Sequence, residues 1–492
     1  MKRFFNTPID PGKAAIRAFY LLLLACSLIT GCKKFLVIPA PTNQLVTATV
    51  FASSNTATAA QTAIYQQMVN NAESYNMSDY NGMLSDEFTN YATDLVSNSF
   101  YHDAMNNSIA PQYGDWAEFY NYIYQANAII AGLQNNSAIP IKIANQLTGE
   151  SEVVRAFWYF YLVNMYGDVP LVLTTNYKTN ESIARTPKAQ VYEQMVADLK
   201  DAESKLNANY VDATDTTITT DRVRPNQAVA EALLARVYLY MGGSHYVDAA
   251  TEATKVITNS TYHLVTPLTQ ADDGFNTSDN GEAIWQLANP LPAFLSGGTW
   301  DGFFYILTSD PSTVALSPQL INAFEPGDQR FNAWVGSYND GSATYYFPFK
   351  YKVSLFTNNP DNLTEYTMVL RLAEQYLIRA EARAQQGKIT GADGALADIN
   401  VIRTRAGLAN YAGGQDQASV LAAILHERQV ELFSEWGNRW FDLIRTGKVN
   451  QVMTAVDPQK GPGVTWNPNS ALYPIPLQDL KTNPQLKQNP GY

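Results

Sequence analysis

The segment that most constrains the fold is residues 424–448, Ile-Leu-His-Glu-Arg-Gln-Val-Glu-Leu-Phe-Ser-Glu-Trp-Gly-Asn-Arg-Trp-Phe-Asp-Leu-Ile-Arg-Thr-Gly-Lys, where charge and aromatics are denser than elsewhere in the chain. Leu421, Leu425, Leu432 and Trp436 recur at helical spacing. Glu427, Glu431 and Glu435 follow one turn apart, which predicts three carboxylates on one side of a single helix. Gly437 is expected to turn the chain, and 439–445 reads as a second short helix ended by Gly447, because glycine takes the left-handed conformation past a helix end without a Cβ penalty. Carboxylates beside Trp436, Trp440 and Phe441 need cations. Arg428, Arg439 and Arg445 are the guanidinium groups close in sequence, so the segment is expected to be a structural ion-pair hub rather than the acid and base of a glycoside hydrolase.

With 492 residues and 46% hydrophobic content, the chain can bury one large core or two closely packed ones. A formal charge of -12 excludes a nucleic-acid partner, since phosphate binding relies on clustered Lys and Arg. Tyr (30), Phe (21) and Trp (8) are abundant enough to supply stacking surfaces as well as core.

Cys26 and Cys32 are the only cysteines, so the rest of the chain holds neither a disulfide framework nor a thiolate metal site. Lys2, Arg3, Lys13 and Arg17 precede an apolar run over 18–29, too short to span a bilayer and suited to a secretory signal peptide. Leu28-Ile29-Thr30-Gly31-Cys32 resembles a bacterial lipobox, which implies cleavage after 1–31 and acylation of Cys32. Leu23-Leu24-Ala25-Cys26 is a weaker competitor. Residues 32–45, with Pro39 and Pro41, read as an extended tether.

Helical periodicity marks 58–71, 116–133, 150–171, 190–206, 226–240, 247–257, 371–386 and 392–405. The stripe of Phe157, Trp158, Tyr161 and Met165 is expected to be core. The pairs 226–240 with 247–257 and 371–386 with 392–405 carry small residues suited to helix hairpins of tetratricopeptide-like type. Between them, 262–367 loses this period and turns rich in Gly, Pro, Asn and aromatics, with strand-like runs at 283–287 and 345–347. Residues 75–113 also read as polar-aromatic loops.

The stretch from Glu427 to Lys448 is similar to the C-terminal signature of the SusD/RagB family of outer-membrane nutrient-binding lipoproteins, with Asn438 where a histidine is common. Residues 150–171, the Cys32-Lys33-Lys34-Phe35-Leu36 start and the closing Ala471-Leu472-Tyr473-Pro474-Ile475-Pro476 resemble further family motifs in the expected order. The resemblance implies a mainly α, SusD-like helical body with a loop-rich insertion and short strands, divided into 46–261 and 262–492 packed as one body. It also implies a lipid-anchored protein on the outer membrane, facing outward, that binds oligosaccharide and delivers it to a SusC-like TonB-dependent transporter. A peptide or other nutrient, or glycoside hydrolysis with Asp86 and Glu87, are the alternatives.

No catalytic, metal or cofactor motif is present: His102, His245, His263 and His426 are scattered, and no nucleophile elbow or phosphate loop occurs. Sugar binding calls for flat aromatic faces edged by amide and carboxyl groups. By that texture the expected ligand contacts are Trp300, Tyr305 and Trp334 as platforms, with Tyr80, Asp86 and Asn90 as polar partners.

Overall fold

The computed structural model describes residues 47–109, 115–270, 274–275, 281–289, 297–354 and 365–492. The expected signal peptide, Cys32 and the whole of the expected tether lie outside them. The chain forms two compact units, of which Val50–Tyr492 is the larger and the one described below.

Its centre is the helix Ile141–Tyr166. Residues Val153 to Tyr166 are buried without interruption, so this half of the helix has to be enclosed on every side, with its one buried cation, Arg155, paired to Asp198. Asp115–Leu133 and Lys188–Lys205 flank it. Trp158 is stacked between Phe119 at 4.4 Å and Tyr122 at 4.8 Å, and Phe157 meets Trp285 and Trp436 edge-on. Gly167, at φ 75°, stops the helix. The expected stripe of Phe157, Trp158, Tyr161 and Met165 is entirely core.

Two helix hairpins follow. Gln227–Met241 packs on Tyr246–Thr258, which packs on Leu372–Gln385, which packs on Ala395–Arg405. Among the described residues the strands form four antiparallel pairs of two, including Ala283–Leu287 with Thr367–Arg371 and Val335–Asn339 with Thr344–Pro348, where short strand-like runs are expected. The fold is thus mainly α with few short strands. The main hydrophobic cluster runs from Phe51 to Leu486, with smaller ones around Ile399 and Ile402.

The C-terminal signature corrects the sequence reading in two ways. The first helix, Gln417–Leu432, ends before Glu435, and the chain reverses through Ser434, Trp436 and Gly437, all at positive φ. At Gly437 a Cβ would lie 2.7 Å from the Asn81 Cβ, so glycine is required both by conformation and by close approach. Trp436, held by this turn, donates from its ring nitrogen to the Met368 carbonyl and from its backbone to Ser78 Oγ. The second correction concerns partners. The acidic triplet pairs with distant cations: Glu431 with Arg330 (3.2 Å), Arg371 (2.6 Å) and Arg405, Glu427 with Arg330 and Arg403, and Glu435 with Arg371 and Lys350. Arg428, Arg439 and Arg445 instead meet Asp442, Asp86 and Glu381. Side chains one position apart on a helix diverge by about 100°, so Arg428 does not face Glu427. Burial alone would raise the Glu431 carboxyl, but its three guanidinium neighbours hold it well below the usual range.

Candidate functional site

Helix Glu73–Leu84 builds one wall of a surface groove. Tyr75, Asp79 and Met83 fall four residues apart and therefore share a face, and all three line a cavity of about 270 Å³. The opposite wall comes from Asn90 to Ser97 and from Ser312 to Val314. Asn90 closes the strand Phe88–Asn90, which pairs with Val314–Leu316, and the Tyr91 and Ala92 amides both donate to the Thr313 carbonyl. The Asn90 side chain accepts from the Ala92 amide at 3.0 Å and donates to its carbonyl. Asp94 caps the helix Leu95–Tyr101 through the Ser97 amide at 2.8 Å.

A ladder of rings leads away from this groove. Tyr75 stacks on Phe304 at 4.3 Å and 24°, and Phe304 stacks on Trp300 at 5.7 Å and 21°. All three are half-buried and keep an edge or face in solvent. On the far rim the exposed Tyr91 meets Tyr345 edge-on at 5.6 Å, and Leu95 is exposed beside it. Apolar rings, an amide and carboxyl groups around an open cleft are the parts that bind a polar ligand with hydrophobic faces.

Of the residues expected from sequence, Asn90 lines the groove and Trp300 ends the ladder. The other four lie elsewhere. Trp334 is fully buried, with Lys350, Arg371 and Arg405 within 4.9–5.6 Å of its ring, so it shields the cations of the ion-pair hub instead of facing a ligand. Tyr305 is buried beneath Tyr75 and Phe88. Asp86 is buried in a bidentate pair with Arg439, both bonds at 2.7 Å. Tyr80 sits on another face of its helix, stacked on Phe100. Sequence reasoning missed Tyr75, Asp79, Tyr91, Asp94 and Tyr345 as site residues. The 75, 79, 83 spacing was the available signal.

A larger cleft of about 770 Å³ separates Gln227–Met241 from the C-terminal helices, but its guanidinium groups are committed, Arg445 to Glu381 and Arg439 to Asp86. Glu325, His426 and Glu427 bring ligand-type atoms within 4.8 Å of one another. Arg403 pairs with both carboxylates there and Arg330 with Glu427, so a divalent cation would face two guanidinium groups and the residues do not fit one.

Burial pushes several carboxyl groups up: Asp79 and Asp301 to about 7, Glu87 and Asp115 to about 8. Their unfolded values lie near 4, so between there and about pH 7 the native state holds protons that the unfolded chain has released, and stability falls as pH rises. Below about pH 4 the sign reverses, because Glu431, Glu435 and Asp442 are held low by their cationic partners and folding loses that stabilisation as they protonate. Thermal melts are expected to show a higher Tm at pH 5 than at pH 7; a Tm rising steadily over that interval would contradict these assignments.

The comparisons agree with this architecture. The family model described as "SusD family" matches residues 45–492, and the chain belongs to that family. SusD-like protein P25 of Formosa agariphila is 25% identical over 441 residues, covering 77% of this chain and 79% of that one. A SusD superfamily protein from Bacteroides vulgatus superposes with a TM-score of 0.75 at 22% identity, covering 90% of this chain and all of the other. A laminarin-binding SusD-like protein gives 0.69 at 24% identity, covering 89% and 99%.

Proposed function

We propose that this protein binds oligosaccharide or polysaccharide in the Asn90–Trp300 groove and hands it to a SusC-like TonB-dependent transporter, working as a binding protein rather than an enzyme. The observation that carries the reading is the ring ladder Tyr75–Phe304–Trp300 opening onto a cleft edged by Asn90, Asp79 and Asp94. Family membership and the laminarin-binding neighbour support it. Among the described residues no helix is long and apolar enough to cross a membrane, so the membrane attachment we propose is the acylated Cys32, at the outer membrane and facing outward. Hydrolysis by Asp86 and Glu87 is disfavoured, because Asp86 is locked to Arg439 and both carboxyls are buried. Peptide remains the second ligand class.

Native electrophoresis of the full chain through gels holding different polysaccharides is expected to show retardation without release of reducing ends. Release would favour an enzyme, and absence of retardation in every gel would refute glycan binding. A pull-down from solubilised outer membranes that recovers no TonB-dependent transporter would remove the delivery role.

A further inference from the structure

We propose that the groove selects uncharged glycans and rejects acidic ones, with the Asp79 carboxylate accepting a hydrogen bond from a sugar hydroxyl. This rests on the glycan-binding reading above. Asp79 lies on the groove wall and is 5% exposed, yet its Oδ1 has no hydrogen-bond partner among the described residues. A buried acceptor without a donor is costly, and a ligand hydroxyl is the donor this wall lacks. Tyr75 lies one helical turn before Asp79 on the same wall, so the ring that would stack on a sugar and the group that would read its hydroxyl are neighbours.

Charge supplies the second half of the argument. Among the described residues, Asp79 and Asp94 are the ionisable carboxyls lining the groove, and no Lys, Arg or His lines it. Asp310 and Asp340 lie close to Tyr345 on the rim. A uronate or sulfate group entering here would meet like charge in a partly dehydrated cleft with no cation to neutralise it. A neutral polyol meets only acceptors and ring faces. Burial pushes the Asp79 carboxyl up to about 7, so a hydroxyl donor also restores the interaction that its ionised form has lost.

The test compares the full chain, in detergent, with its Asp79→Asn variant against neutral probes (laminarin, starch, xylan, galactomannan) and acidic ones (alginate, polygalacturonate), at about one pH unit above the Asp79 value. Wild type is expected to bind at least one neutral probe and each acidic probe about tenfold or more weaker. Asp79→Asn is expected to lose about tenfold in neutral binding and to narrow the gap to the acidic probes, a reversal that mere loss of structure would not produce. Equal or tighter binding of an acidic probe by wild type, or unchanged affinities in Asp79→Asn, would overturn the inference while leaving glycan binding intact. Silence with every probe would overturn the underlying reading as well, which keeps the two failures distinct.

Discussion

Glu431→Leu is expected to cost about 3–5 kcal/mol of folding stability, the range for removing one partner from a buried ionic cluster. Glu431 is fully buried and is met by Arg330, Arg371 and Arg405, while Arg371 and Arg405 also share Glu282. Without the carboxylate, the buried Arg330, Arg371 and Arg405 are left with one acceptor fewer, two of them over the Trp334 ring. Chemical denaturation of the purified variant measures the loss. A change under about 1 kcal/mol would mean that the cluster is held by its remaining pairs and that Glu431 is not its centre.

Trp300→Ala is expected to weaken glycan retention by about 10- to 100-fold, the equivalent of roughly 1.5–3 kcal/mol for one large apolar side chain covered by ligand. Trp300 is half-buried at the end of the ladder, so the fold does not depend on it as it depends on Trp158 or Trp436. Circular dichroism is expected to be unchanged, and Trp300→Phe to recover most of the affinity. Full retention by the alanine variant would move the ligand away from this ladder.

Where apolar residues recur strictly at helical spacing, the chain is readable directly. The helices Asp115–Leu133, Lys188–Lys205, Gln227–Met241 and Tyr246–Thr258 begin and end within two residues of the predicted ranges. The groove is harder, because its main wall, Glu73–Leu84, has the sequence Glu-Ser-Tyr-Asn-Met-Ser-Asp-Tyr-Asn-Gly-Met-Leu. Asn, Ser, Asp and Gly are poor helix formers, and such a segment reads as loop until tertiary burial overrides propensity. The expected loop over this stretch is a helix. Trp334 shows a different limit. Its neighbours in sequence resemble those of an exposed loop aromatic, and what buries it arrives from positions 350, 371 and 405. The same holds for Asp86, whose partner Arg439 stands 353 residues away. Local spacing carries helices well and says little about which aromatic or carboxylate a distant segment will cover.

That separation bears on how the molecule comes into being. The wall that carries Tyr75 and Asp79 is closed by Trp436 on Ser78, by Arg439 on Asp86 and by Tyr473 on Asn81, across 358, 353 and 392 residues of chain. In the export proposed above, N-terminus first, this wall emerges long before its closing partners. Long-range closure of this kind predicts that the groove is among the last features to take shape, after the C-terminal helices are available.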